Sequence, residues 1–210
     1  VHAYNTQCIA GPITFLLIDG NYSVNETFPI IINSNIYASS INTLTIKPAA
    51  GIDPVIEADD INTAIQFNGA DYIMFDGSNT FGGTTKNLFI KNIHAPGKAV
   101  FWLNSADAFD AATHITVKNC IISGAGAAAT SAGIMSSGSV FDQPAESPNE
   151  YNNIEFNSIT AAARGIVLTA PGSGEHNNVI HSNTIGSALA ADKLSETGIL
   201  IMAEQDCEKI

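Results

Sequence analysis

NLFIKNI, residues 87–93, is a short apolar strand pattern with an amide near its end, and the chain repeats it. Residues 114–121 read HITVKNCI, residues 153–159 NIEFNSI and residues 178–185 NVIHSNTI. Each has two apolar residues one apart, then an Asn or Ser, then Ile. Taking the first apolar residue of each unit aligns Leu88, Ile115, Ile154 and Val179, and two upstream segments, LTIKP from Leu44 and YIMFDGS around Ile73, fit more loosely. A second series runs out of phase at Ile65, Val100, Ile134, Ile166 and Ile199, with successive spacings of 35, 34, 32 and 33 residues. A repeat of roughly 20 to 50 residues that holds strands and almost no helical pattern marks a solenoid.

In such a solenoid, like strands of successive coils lie parallel, ~4.8 Å apart. The predicted inward columns are Leu88, Ile115, Ile154 and Val179, then Ile90, Val117, Phe156 and His181. The trailing position forms a predicted column of Asn92, Asn119, Ser158 and Asn183. Stacked amides at a bend hydrogen-bond their copies and satisfy backbone groups that the corner leaves unpaired.

The coils ITVKNCIISG (115–124) and NNVIHSNTIG (177–186) resemble those of the right-handed parallel β-helix, the pectate-lyase-like superfamily, over about residues 13–210. The expected fold is therefore all-β, a right-handed parallel β-helix solenoid with a short N-terminal capping segment in residues 1–12. The opening YNTQCIAGPITFLLIDGNYSVNETFPI (4–30) is similar to the entry of such domains in secreted Bacteroidetes proteins. That likeness implies a short helix over the barrel end and export to the cell surface. A cap shields core and strand edges that an open end would expose.

The chain has 210 residues and a formal charge of −12, and its basic residues are seven lysines and one arginine, Arg164. A nucleic-acid binder needs a basic footprint, which is missing here. Adhesion to anionic lipid is disfavoured on the same ground. No apolar run approaches the ~20 residues of a membrane span. Cys8, Cys120 and Cys207 follow no metal or CxxC spacing. The first residues, VHAYNTQCIAGP, lack the charged start and long apolar core of a leader, which is the pattern of a mature or trimmed piece. MAEQDCEKI (202–210) stops where a new coil begins. The expectation is that the β-helix continues past residue 210, or that another chain, a protein partner or a second copy stacks on its end.

The superfamily resemblance implies lyases that combine Ca²⁺-binding carboxylates with a catalytic Arg or Lys, and hydrolases that use paired Asp. Hydrolysis requires two carboxyl groups facing one cleft, roughly 5 to 9.5 Å apart. The one adjacent acid pair, Asp59-Asp60, follows PVIEA in a turn, where Asp serves local hydrogen bonding. The hydrolases' motif set is missing, and Arg164, opening RGIVLT, reads as a surface or capping group. His181 falls in an inward column, and His94, His114 and His176 fall at bends without ligand spacing. No catalytic residue is assigned, no cofactor is implied by a motif, and Ca²⁺ has no motif behind it.

Strand alternation places Lys47, Asp76, Lys91, Lys118, Asn157 and Ser182 on one outward face, beside Thr45, Met74, Phe89, Thr116, Glu155 and Ile180. Polar groups among exposed apolar ones suit a sugar, whose CH-rich face stacks while its hydroxyls bond. The candidate ligand-binding set is Lys47, Asp76, Phe89, Lys91, Thr116, Lys118 and Glu155. The plainer account is a solvated face on which Asp76 bridges lysines, each pair contributing under ~1 kcal/mol. In the second series the outward positions are read as Phe101, Met135, Val167 and Leu200. A parallel strand apolar on both faces is covered on both, either by the long connections 137–152 and 186–197 or by a protein partner. The expected function is a non-catalytic extracellular module of a surface or adhesin-type protein that binds polysaccharide. A polysaccharide lyase or glycoside hydrolase, and a structural spacer or assembly subunit, are the alternatives.

Overall fold

The structure, a computed structural model, describes residues 1–172, 174 and 176–202. Three six-stranded parallel sheets wind into a β-solenoid of about six turns. The first sheet stacks Ile13–Leu17, Leu44–Pro48, Ile73–Asp76, Thr116–Lys118, Asn153–Glu155 and Val179–His181. The second stacks Asn21–Tyr22, Val55–Ala58, Leu88–Asn92, Cys120–Ser123, Ser158–Thr160 and Thr184–Ile185. The third stacks Ile30–Asn33, Ile65–Asn68, Gly97–Asn104, Thr130–Ser137, Arg164–Thr169 and Thr197–Met202.

Most strands are rich in Ile, Val and Phe, whose branched or flat side chains pack well on a pleated surface. The inward side chains stack in columns that fill the interior. The first sheet contributes Ile46, Phe75, Val117, Ile154 and Ile180. The second contributes Ile56, Ile90, Ile122, Ile159 and Ile185, and the third Ile65, Phe101, Ile134, Ile166 and Ile199. Phe67, Phe75 and Phe101 meet in the interior with ring centroids 5.4 to 6.0 Å apart.

These columns correct the expected register. NLFIKNI belongs to the second sheet, where Leu88 pairs with Cys120 and Ile90 with Ile122. The first-sheet strand of that coil is Ile73–Asp76, separated from Leu88 by the segment 77–87, whereas Asn119 alone separates Lys118 from Cys120. The long turn hid the correspondence. On the first sheet Val117 lies over Ile154 rather than Phe156. Phe156 sits at the bend after Asn153–Glu155, with φ 54° and 39% exposure, edge-on to the outward His181 ring at 5.3 Å. Asn119 and Ser182 occupy the same bend with φ 56° each. In the coil of Gly77 a Cβ would fall 1.9 Å from the Asn119 carbonyl oxygen, so that corner takes only glycine.

The amide column also differs from the expected one. Asn119 is buried, yet its Nδ2 donates to Asp76 Oδ1 at 2.9 Å rather than to Asn92 or Ser158. The rung at this corner is Asn157. Its Nδ2 donates to Val117 O at 2.8 Å, and Asn183 Oδ1 accepts from both its backbone N–H (2.9 Å) and its Nδ2 (3.1 Å). A second ladder runs Asn33, Asn68 and Asn104 at the end of the third sheet, with steps of 3.0 and 2.9 Å. The corners do use stacked amides: Asn183 stands in the ladder as expected, and its partner is Asn157, one residue before the expected Ser158.

At the start of the chain, the helix His2–Thr6 packs Tyr4 into the first coil, and Asn35 Nδ2 donates to Tyr4 O at 2.6 Å. Burial, with the nearby Asp71 carboxylate, pushes the Tyr4 phenol up to about 12. Among the described residues no helix is long and apolar enough to cross a membrane.

On the third sheet the outward column is Trp102, Met135, Val167 and Leu200, and Phe101 points inward. The segment 138–152 of the same chain covers this column. Phe141 lies 5.5 Å from the Trp102 ring, and Trp102 Nε1 donates to Ser137 Oγ at 2.8 Å. Glu146 fastens the segment, accepting from Ser105 Oγ (2.6 Å), Ser139 N (2.9 Å) and Ser139 Oγ (2.6 Å). The expected strand edge after Met202 lies outside the described residues.

Candidate functional site

On the outer face of the first sheet, the register brings Leu16, Lys47, Asp76, Lys118, Glu155 and His181 into one column. Asp76 follows from the pairing of Ile46 with Phe75 one residue before. From Lys47 to Glu155 the sign of the charge alternates along the column. Asp76, 5% exposed, accepts on Oδ1 from Ser78 N (3.1 Å) and Asn119 Nδ2 (2.9 Å). Its Oδ2 stands 3.9 Å from Lys47 Nζ and 4.0 Å from Lys118 Nζ. These distances are ionic contacts, longer than hydrogen bonds. Lys47 also donates to Thr80 O at 3.1 Å, and His181 Nε2 meets Glu155 Oε2 at 2.9 Å.

Thr116 stands in the neighbouring outward column with Thr45 and Met74. Five of the seven expected ligand residues, Lys47, Asp76, Thr116, Lys118 and Glu155, therefore share this face. Phe89 and Lys91 do not. They lie around the corner on the second sheet, where Lys91 pairs with Glu57 and its Nζ sits 5.6 Å from the Phe89 centroid.

Two hollows that share Thr45 and Met74 make a trough across this face. One, about 510 Å³, is lined by Leu16, Lys47, Asp76 and Lys118 and overhung by Phe81, which is 99% exposed at the tip of the 77–87 segment. The other, about 310 Å³, is lined by Ser40, Thr43, Tyr72, His114 and Thr116. The trough runs along the strands. From Thr43 to Lys47 the rise of ~3.3 Å per residue gives a length of about 13 Å, room for two or three pyranose rings.

One residue before each first-sheet column begins stand Tyr72 and Tyr151, which sequence reasoning missed, and His114, which it placed at a bend without ligand spacing. Their rings stack in register, Tyr72 on His114 at 4.4 Å and 21°, and His114 on Tyr151 at 5.0 Å and 11°. All three carry left-handed backbone, with φ of 55°, 55° and 59°. The signal was present: an aromatic or imidazole ring precedes the strand in DYIMF, THITV and EYNNIEF, but only the corrected register lines them up.

Asp59 and Asp60 line a separate hollow of about 290 Å³ on the second sheet, with Glu26 and Glu57. Asp60 Oδ1 accepts from Asn62 N at 2.8 Å and Asp59 Oδ1 meets His94 Nδ1 at 2.8 Å, so the pair serves its turn and a neighbouring ring. Arg164 is held by Asp142, on the third sheet, away from Asp76. Among the described residues no three His, Cys, Asp or Glu side chains come together in a way that could hold a metal ion.

Compared with protein-family models, with curated proteins and with solved structures, the chain matches none.

Proposed function

We propose that this chain is a non-catalytic extracellular β-helix module, of the pectate-lyase-like kind, from a surface or adhesin-type protein, and that it binds polysaccharide in the trough on the outer face of the first sheet. The observation that supports this is the composition of the trough: hydroxyls of Thr45 and Thr116 and the ammonium groups of Lys47 and Lys118 surround the apolar Met74 and Leu16. Sugar rings need that mixture, an apolar floor for their CH faces and polar walls for their hydroxyls.

Calorimetric titration with cello-, xylo-, manno- and galacturono-oligosaccharides tests the proposal. Filling the floor with Met74→Lys and removing the ammonium with Lys118→Ala should each weaken binding about tenfold, while Phe89→Ala, around the corner, should leave it unchanged. A chain that binds none of these glycans overturns the proposal and favours the spacer or assembly-subunit reading. The lyase or hydrolase alternative is decided by incubation with pectin, alginate and neutral plant glycans. Unsaturated or reducing ends that disappear on changing Arg164 or Asp76 would establish an enzyme. Protein contacts are proposed at the last described strands, where a further coil or a second copy would stack. Light scattering over a concentration series reads that association directly.

A further inference from the structure

The Tyr72–His114–Tyr151 stack is costly for a corner whose only task is to turn. Left-handed backbone disfavours side chains other than Gly, Asn, Asp and His, so Tyr72 and Tyr151 are the costly members, and the equivalent place in the next coil is filled by Asn177, φ 59°. Three ring-bearing residues in succession therefore call for a use of the rings themselves.

The hydrogen bonds fix the state of the middle ring. Thr113 Oγ1 donates its single proton to Asp71 Oδ1, which also accepts from Thr113 N at 3.1 Å. An ionised carboxylate can only accept, so Thr113 Oγ1 is left as the acceptor for His114 Nδ1, 3.0 Å away. In the neutral imidazole this is the Nδ1–H tautomer, with its lone pair on Nε2. Nε2 has no hydrogen-bond partner among the described residues, and His114 lines the hollow of about 310 Å³. Tyr72 and Tyr151 cover both faces of the ring and keep it from rotating.

We infer that His114 Nε2 is the acceptor that reads a ring hydroxyl of the bound glycan, with Thr113 and Asp71 as positioning residues that hold its tautomer. This rests on the trough being a glycan site. A lone pair repels an anion, so the sugar ring at this end of the trough must offer a donor, a neutral hydroxyl. Any carboxylate of the glycan lies at the Lys47 and Lys118 end. Titratable neighbours of the ring are Asp71, the phenols of Tyr72 and Tyr151, and Glu150, whose backbone oxygen accepts from His114 N at 3.3 Å.

Two measurements test the inference. In the ¹⁵N spectrum of the unmodified protein at pH 8, the His114 ring should show the Nδ1–H tautomer, and Thr113→Val should mix the two tautomers. His114→Phe keeps a stacked ring without an acceptor. It should bind the best oligosaccharide of the panel about tenfold more weakly at pH 8, the loss of one hydrogen bond. An Nε2–H tautomer, or an affinity of His114→Phe equal to that of the unmodified protein at pH 8, overturns the inference and leaves the glycan site standing. No binding of any oligosaccharide by the unmodified protein overturns both.

Discussion

Arg164 and Asp142 meet through two parallel hydrogen bonds, Nη1 to Oδ1 at 3.1 Å and Nη2 to Oδ2 at 2.8 Å. The chain's single arginine thus clasps the 138–152 segment against the third sheet, and Glu196 Oε2 adds a longer contact at 3.8 Å to Nε. A guanidinium fork matches a carboxylate in a way an ammonium cannot. Arg164→Lys should therefore cost about 1 kcal/mol, and Arg164→Met about 1–2 kcal/mol, because the carboxylate is only half-buried. In a chain of this size that is a fall in melting temperature of about 2–8 °C. Limited proteolysis should cut within 138–152 in these variants first; cutting elsewhere would refute the clasp.

Glu146 fastens the same segment and makes it sensitive to acid. Burial alone would raise this carboxyl. The Ser105 and Ser139 hydroxyls, with the Ser139 and Glu146 backbone N–H groups, outweigh burial and hold it down at about 2. A carboxyl lower in the folded than in the unfolded chain stabilises fully above the ordinary value near 4.3, and that stabilisation is lost as the pH falls toward about 2. Trp102, the only tryptophan, reports the loss because the segment buries it to 6% exposure. Its emission should shift to the red between about pH 4 and pH 2, and Glu146→Gln should show the shift already at pH 7. Emission independent of both would show that the segment is held otherwise.

The corner amides separate the observed register from the expected one. Asn157→Ala removes the partner of Val117 O, Cys120 N and Asn183 and should cost about 1–3 kcal/mol. Ser158→Ala, one residue on in the expected column, should change stability by less than about 0.5 kcal/mol. Chemical denaturation of the two variants distinguishes them, and equal losses would contradict the register.

Phe156 and Val117 make the converse pair. Val117→Asp places an unpaired charge in the solenoid interior and should unfold the domain, since the cost is several kcal/mol. Phe156→Asn should cost at most about 1–2 kcal/mol, because Asn tolerates the left-handed corner better and offsets part of the packing lost from a side chain that is 39% exposed. Circular dichroism melts read both. A large loss at Phe156 would restore it to the core.

The sequence was most legible where the pattern is set by the interior. Ile65, Ile134, Ile166 and Ile199 stack as their spacing predicts, and Val100 misses by one residue. Val100 and Phe101 are both fully buried, so no alternation of apolar and polar residues was present to set the phase. Of the outward face, Lys47, Asp76, Thr116, Lys118 and Glu155 could be read from strand alternation. Phe89 and Lys91 were carried onto it by the slip that matched a second-sheet strand to first-sheet ones. Tyr72, His114 and Tyr151 are not one residue type throughout and lie outside the strands, so their stacking depends on coil lengths that only the folded chain reveals.

The ladder bonds of all three sheets, and the Asn157–Asn183 bonds with them, run from coil to coil along the solenoid axis. Pulled by its two ends, such a molecule loads those bonds one layer at a time rather than all together. The outermost coil should peel away while the next still holds. Each coil is about 33 residues by the third-sheet spacing, so stretching should proceed in steps of roughly 110 Å of released chain. On a surface under flow, that would make the chain an extensible tether, lengthening under load before it breaks.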